Sequence, residues 1–129
     1  ADAWKEWLTG FAGLKPVPQA VGLAPDDVLD LGRRKVRVVD AAGHSPGHQA
    51  YWMAEKRILF CSDIGVDAFG PWYGWEDACI PEYVASVERL LALDAALLVT
   101  SHGGIVLARV YREDPVTTCS ASGNRRVFV

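Results

Sequence analysis

The most informative segment of the sequence is Gly43-His44-Ser45-Pro46-Gly47-His48, which holds two of the three histidines of the chain. Its glycines allow the backbone to turn sharply and leave room beside the imidazoles. In the preceding residues 34–41, apolar Val36 and Val38 alternate with basic side chains. This alternation predicts a strand with one wet face. The histidine-rich segment is therefore predicted to be a loop that directly follows a strand.

Further elements are predicted downstream of this loop. Residues 50–53 and 58–61 are typical of two hairpin strands, because a polar tip separates them. Residues 81–93 predict an amphipathic helix, with Pro81 suited to its first turn. The wholly apolar start of residues 96–100 predicts a strand that is buried on both faces. The helix is expected to bury one apolar stripe, made of Val84, Val87, Leu90 and Leu91.

Two more side chains that can do chemistry stand at strand ends. Asp63 ends the second hairpin strand, and His102 follows the last apolar strand in Ser101-His102-Gly103-Gly104. Taken singly, such a histidine is more often a structural hydrogen-bonding residue, and such an aspartate is usually a turn or cap residue. Imidazole and carboxylate at the loops of one sheet edge also suit a metal ion such as zinc. The ordered set of motifs favours this second interpretation.

Composition restricts the class of protein. The chain has 129 residues, enough for one domain, with 50% hydrophobic and 22% charged residues. A net charge of −3 gives no basic surface for nucleic acid, and no apolar run is long enough to predict a membrane span. The scattered cysteines, Cys61, Cys79 and Cys119, favour idle thiols in a reducing compartment, so a cytoplasmic location is expected.

The order of these motifs resembles the second half of the metallo-β-lactamase superfamily, which includes glyoxalase II-type thioesterases, lactonases and β-lactamases. There, a TPGHTPGH-like segment is followed by a strand ending in Gly-Asp, a helix and a Gly-His-Gly turn. The resemblance covers about residues 28–105. It implies an α/β (α+β) fold, namely half of an αββα sandwich, with a mixed β-sheet and flanking helices. Residues 1–129 would form a single partial domain, which corresponds to the C-terminal half of the complete αββα sandwich.

The resemblance also implies roles for four side chains. His44 would bind the first metal ion, Asp63 would be the catalytic carboxylate that bridges both ions, and His102 would bind the second. His48 matches a position that is not a ligand, and we expect it to support the His44 loop through a hydrogen bond. Two zinc ions are the expected cofactors of the complete fold, although iron or manganese would accept the same ligands.

Two departures from the family pattern are visible. The sequence contains no HxHxDH motif, which supplies the other metal ligands in the family. Weak metal binding and an inactive chain are therefore expected for these residues alone. An isolated half would also expose an apolar sheet face, so we expect either a missing N-terminal half or a homodimer to cover it. The smaller departure is serine, at Ser62 and Ser101, where the family usually has glycine.

The predicted function is hydrolysis of an ester, thioester, lactone or lactam-type bond in a small-molecule substrate. The alternative is a metal-free module that serves interaction or is vestigial. A nuclease or a diiron oxidoreductase is a third interpretation, and the acidic charge argues against the nuclease.

Trp72, Tyr73 and Trp75 are candidates for a substrate wall, or for a small satellite core. Residues 112–129 are left open between a terminal strand and a loose tail.

Overall fold

A computed structural model describes residues 2–15, 17–64 and 76–108 of the chain. In this part of the chain, six strands form one sheet in the order in which they occur in the sequence. The strands are β1 (Val28–Asp30), β2 (Lys35–Asp40), β3 (Gln49–Met53), β4 (Ile58–Ser62), β5 (Leu97–Thr100) and β6 (Gly104–Leu107). The helices are α1 (Asp2–Glu6), which continues as a π-helical turn (Trp7–Phe11), and α2 (Ile80–Leu91).

The sheet is mixed, as the sequence predicted. Neighbouring strands are antiparallel except for β4 and β5, which are parallel. The segment between β4 and β5 contains α2, because parallel neighbours need a long crossover connection. The hairpin between β3 and β4 closes through a short 3-10 turn (Ala54–Lys56), and Arg57 adopts a left-handed conformation after it. The carboxyl ends of the neighbouring strands β4 and β5 therefore lie side by side, at the same end of the strands.

One face of the sheet forms the core together with α2. Trp52, Leu59 and Cys61 are buried there in a single cluster with Tyr83 and Leu90 of the helix. Register explains this arrangement, because Trp52 is paired with Leu59 across β3 and β4, so their side chains share a face. This packing fixes the helix over the sheet and holds the loops at the carboxyl ends of the strands.

The predicted apolar stripe of α2 was only partly right. Leu90 is buried and Val87 packs against the core, but Val84 is 46% exposed and Leu91 is 51% exposed. The helix instead buries Tyr83, Ser86 and Leu90. The hydropathy pattern could not identify this side, because one of its three buried residues is a serine whose hydroxyl is satisfied inside the fold.

The prediction that β5 is buried on both faces was wrong. Leu97, Leu98 and Val99 are only partly buried. On the face opposite α2, Phe60, Val99 and Ile105 lie in one cross-strand row, and Phe60 and Ile105 are 36% and 72% exposed. An apolar sequence alone could not distinguish a strand that is covered twice from one whose second face is open.

Two edge strands were not assigned as strands from the sequence. β1 has three residues and β6 has four, which is too short for a clear period-two pattern. Both are defined by pairing with a neighbour, β1 with β2 and β6 with β5.

The aromatic candidates Trp72, Tyr73 and Trp75 and the segment 112–129 lie outside the described residues. In the part of the chain that the structure describes, no helix is long and apolar enough to cross a membrane.

Candidate metal centre

The loop that carries His44 is held by backbone hydrogen bonds. The amide of Ala41 donates to the carbonyl of His48 at 3.1 Å, and the amide of His48 donates to the carbonyl of Ser45 at 3.2 Å. Gly43 has a φ of 126°, a conformation that is essentially restricted to glycine. The tight loop therefore requires glycine at this position, and it presents His44 at the end of β2.

Asp63 is placed by an irregularity at the end of β4. The pairing register between β4 and β5 shifts between Phe60 and Ser62. Ser62 then adopts a φ of 50°, and the amide of Ile64 donates to the carbonyl of Cys61 at 2.9 Å to close a turn. This turn places the Asp63 carboxylate at the same end of the sheet's strands as the His44 loop.

His102 lies in a turn between β5 and β6. The hydroxyl of Thr100 accepts a hydrogen bond from the amide of Gly103 at 2.8 Å. The amide of Ser101 donates to the carbonyl of Ser62 at 3.1 Å, which ties this turn to the end of β4. The parallel pairing of β4 and β5 thus delivers Asp63 and His102 to one place.

The structure brings the three predicted ligands together around the carboxylate. The Nε2 atom of His44 lies 3.6 Å from Oδ2 of Asp63, and Nε2 of His102 lies 3.2 Å from Oδ1. The side chain of His44 is 21% exposed, that of Asp63 31% and that of His102 67%. Each imidazole therefore faces a different oxygen of one partly buried carboxylate.

These three side chains form two pairs rather than one closed ligand set. Among the described residues, no group of three or more His, Cys, Asp or Glu side chains is arranged to hold one metal ion. Such a pairing suits a carboxylate that donates one oxygen to each of two ions, with one histidine beside each ion. The residues present therefore fit part of a dinuclear site, and further ligands would be needed to complete either half.

His48 lies behind His44, with their ring centroids 5.3 Å apart in an edge-to-face arrangement. Burial lowers the pKa of His48, partly offset by a hydrogen bond to the backbone of Cys61. Its Nε2 atom is buried and has no hydrogen-bond partner among the described residues. His48 thus connects the His44 loop to β4, which is compatible with the predicted supporting role; that role stays a prediction.

Sequence reasoning missed the contacts through which α2 holds the His44 loop. The hydroxyl of Ser86, a residue only 1% exposed, donates to the carbonyl of Ala42 at 2.7 Å. Arg89 donates to the carbonyl of Asp40 at 2.8 Å and pairs with its carboxylate at 2.9 Å. These α2 residues lie 44 and 49 positions beyond the loop atoms that they contact, so local sequence could not identify them.

The family can be identified from this point. Residues 3–102 match the sequence profile of Lactamase_B, described as the metallo-beta-lactamase superfamily. This match covers most of the chain, and the chain belongs to this superfamily. The predicted resemblance and the predicted fold class, a partial α/β sandwich of this family with a mixed sheet, are both confirmed.

Two curated relatives are similar to parts of the chain. A hydroxyacylglutathione hydrolase of Rhodospirillum rubrum is 38% identical over 60 residues, which is 43% of this chain and 23% of that protein. The acyl-coenzyme A thioesterase MBLAC2 of Homo sapiens is 31% identical over 88 residues, which is 67% of this chain and 31% of that protein. The chain therefore spans about a quarter to a third of the length of these relatives.

Solved structures share the fold. A metallo-beta-lactamase family protein of Thermus thermophilus superposes with a TM-score of 0.66 at 21% identity, over 82% of this chain and 40% of that one. TTHA1623, crystallised in a di-iron-bound form, superposes with a TM-score of 0.65 at 26% identity, over 75% of this chain and 47% of that one. Both comparisons match the chain to about half of a larger structure.

Proposed function

We propose that this chain contributes to a metal-dependent hydrolase of thioester or related ester-type bonds. The observation that carries the proposal is the Asp63 carboxylate, which has His44 beside one oxygen and His102 beside the other. The relatives named as hydroxyacylglutathione hydrolase and acyl-coenzyme A thioesterase support a thioester as the substrate class. Lactone and lactam bonds, which present a similar carbonyl, are less favoured by these relatives.

The residues present would divide their work between two ions. His44 would hold one, His102 the other, and Asp63 would reach both, while His48 would keep the His44 loop in place. When bound, the metal ions would lower the pKa of a water molecule and polarise the scissile carbonyl at neutral pH. Zinc and iron both accept imidazole and carboxylate ligands, and the similar protein TTHA1623 has been crystallised in a di-iron-bound form.

The proposed activity needs ligands that these residues do not supply. No HxHxDH motif occurs in the 129 residues, and the chain spans only part of its relatives. We propose that the open apolar face around Phe60 and Ile105 is covered by a second sheet of the same fold, which carries the remaining ligands. A second copy of this chain would cover the face without supplying that motif.

The alternative function is a metal-free module that serves interaction or is vestigial. The observation in its favour is that no closed set of three ligands occurs within residues 2–15, 17–64 and 76–108. The observation against it is that His44, Asp63 and His102 have all been retained and lie together. A decayed centre would be expected to have lost at least one of them.

The deciding experiment measures metal content and hydrolysis together. The chain, purified and equilibrated with zinc, is compared with His44→Ala, His102→Ala and a distant control, Glu88→Ala. Because part of the ligand set is absent, the proposal expects weak zinc binding by the wild-type chain and the control at excess zinc, and weaker binding by both histidine variants. Hydrolysis of a hydroxyacylglutathione and an acyl-coenzyme A is then assayed in the chain alone, which is expected to be inactive, and in the chain combined with a segment that supplies the HxHxDH ligands, where activity is expected. Equal zinc in all four samples would refute the assigned ligands.

Light scattering of the same samples tests the covered face. The second-sheet proposal expects a monomer with an exposed apolar face that binds a hydrophobic dye. A stable dimer that no longer binds the dye would show that a second copy covers the face instead.

A further inference from the structure

Ser62 and Ser101 occupy two equivalent positions in the candidate centre. Ser62 directly precedes Asp63, and Ser101 directly precedes His102. Their Oγ atoms lie 3.2 Å apart, so one hydroxyl donates to the other. The Ser101 amide also donates to the Ser62 carbonyl at 3.1 Å. Each serine directly precedes a candidate ligand. The two serines are therefore linked to each other by one backbone and one side-chain hydrogen bond.

We infer that the Ser62–Ser101 hydroxyl pair positions Asp63 and His102 relative to each other, an inference whose purpose rests on the proposed function. The resembled family pattern has glycine before each of the two ligands, and glycine provides no hydroxyl. This chain has serine at both positions, and the structure places those two hydroxyls in contact. The two departures from the pattern therefore act as one unit.

The backbone conformation of Ser62 favours glycine, and the serine side chain offsets this disadvantage. Its φ of 50° lies in the left-handed region, where a residue with a Cβ is disfavoured and glycine is not. The hydroxyl of Ser62 offers a compensation that glycine lacks, because it bonds across to Ser101 while the backbone keeps the turn that presents Asp63. Alanine at this position would keep the backbone strain and lose the hydrogen bond.

The exposure of His102 explains why such a pair matters. Its side chain is 67% exposed, so packing contributes little to its orientation. The turn that carries it depends on the Thr100 hydroxyl, which accepts from the Gly103 amide, and on the link from Ser101 to Ser62. Without the two hydroxyls, only the backbone hydrogen bond would link Ser101 to Ser62.

The test uses variants that separate the hydroxyl from the rest of the side chain. Ser101→Thr keeps a hydroxyl, and Ser101→Val replaces it with a methyl group of similar size. Ser62→Ala and the double variant Ser62→Ala/Ser101→Val complete the set, and Thr9→Ala is a control that loses a hydroxyl in a distant helical turn. Two quantities are measured: the hydrogen-exchange rate of the Ser101 and His102 amides without metal, and the dissociation constant for zinc by competition with a chelator.

The pair is expected to behave as one unit. Ser62→Ala and Ser101→Val should each speed exchange and weaken zinc binding about 2- to 10-fold, the range of one neutral hydrogen bond. The double variant should lose no more than the larger single loss, and Ser101→Thr and Thr9→Ala should match the wild type. Equal values for Ser101→Thr and Ser101→Val, or additive losses in the double variant, would overturn the inference.

The two readouts keep this inference separate from the proposed function. A wild-type chain that binds no zinc even at a large zinc excess would count against the proposed metal centre, while the exchange rates of the metal-free protein would still decide whether the hydroxyls are coupled. Zinc binding that is equal in all variants would leave the proposed function standing and would refute the positioning role.

Discussion

Gly43 and Tyr83 pack so closely that a Cβ atom on Gly43 would overlap the backbone of Tyr83. The amide of Cys79 also donates to the carbonyl of Gly43 at 2.9 Å, just before α2 begins. The first turn of the helix is thus seated directly on the loop that carries His44. Glycine is needed there twice, for its φ of 126° and for the space that its missing side chain leaves.

Gly43→Ala is expected to destabilise the fold by about 2–4 kcal/mol, because it combines a forbidden φ with an overlap that only backbone movement can relieve. Urea unfolding followed by tryptophan fluorescence measures the change. Gly47→Ala is the matched control in the same loop, since a Cβ there meets nothing within 4 Å. Similar losses in both variants would contradict the seating of α2 on Gly43.

Ser86→Ala should cost more than Arg89→Gln, although both residues hold the same loop. Ser86 is buried, and its loss leaves the Ala42 carbonyl without this donor, at a cost of about 1–3 kcal/mol. The side chains of Arg89 and Asp40 are 43% and 39% exposed, so their ion pair is worth only about 0.2–1 kcal/mol. Unfolding free energies of the two variants decide the order. A larger loss for Arg89→Gln would show that the ion pair is the principal clamp.

Cys61 should make the stability of the protein fall at alkaline pH. Burial raises the pKa of its thiol from 9.0 to about 11. The unfolded thiol therefore ionises before the folded one, so this contribution to stability is complete below pH 9.0 and is lost as pH rises towards about 11. Unfolding free energies measured across this window in the wild type and in Cys61→Ala test the effect. The variant should show a shallower alkaline decline, and an unchanged slope would contradict the assignment.

Leu59 and Phe60 are neighbours on β4 that point to opposite faces of the sheet. Leu59 is 2% exposed, so Leu59→Ala should cost about 2–5 kcal/mol. Phe60 is 36% exposed, so Phe60→Ala should cost less than Leu59→Ala, about 1–2 kcal/mol, and should reduce binding of a hydrophobic dye. Unfolding and dye titration of both variants provide the test. A cost for Phe60→Ala equal to that for Leu59→Ala would mean that the opposite face is already covered.

Local sequence was sufficient for the strands on both sides of the histidine loop, for α2 and for the set of candidate ligands. The alternation in residues 34–41 predicted β2, which spans Lys35–Asp40, because a two-residue period is a local property of the backbone. His44, Asp63 and His102 were identified by their residue types and by their places after strands. Family membership followed from the same short motifs, since they combine glycine, histidine and aspartate in a fixed order.

Only the tertiary structure decided which surfaces are buried and which atoms meet. The burial of Ser86 in place of Val84, the exposed row through Phe60 and Ile105, and the contact of the Ser62 and Ser101 hydroxyls all join residues distant in sequence or depend on what covers a face. Hydropathy assigns each residue a preference, whereas burial depends on the partner that packing supplies. For that reason the sequence located the candidate ligands, and the parallel pairing of β4 with β5 brought Asp63 and His102 into contact.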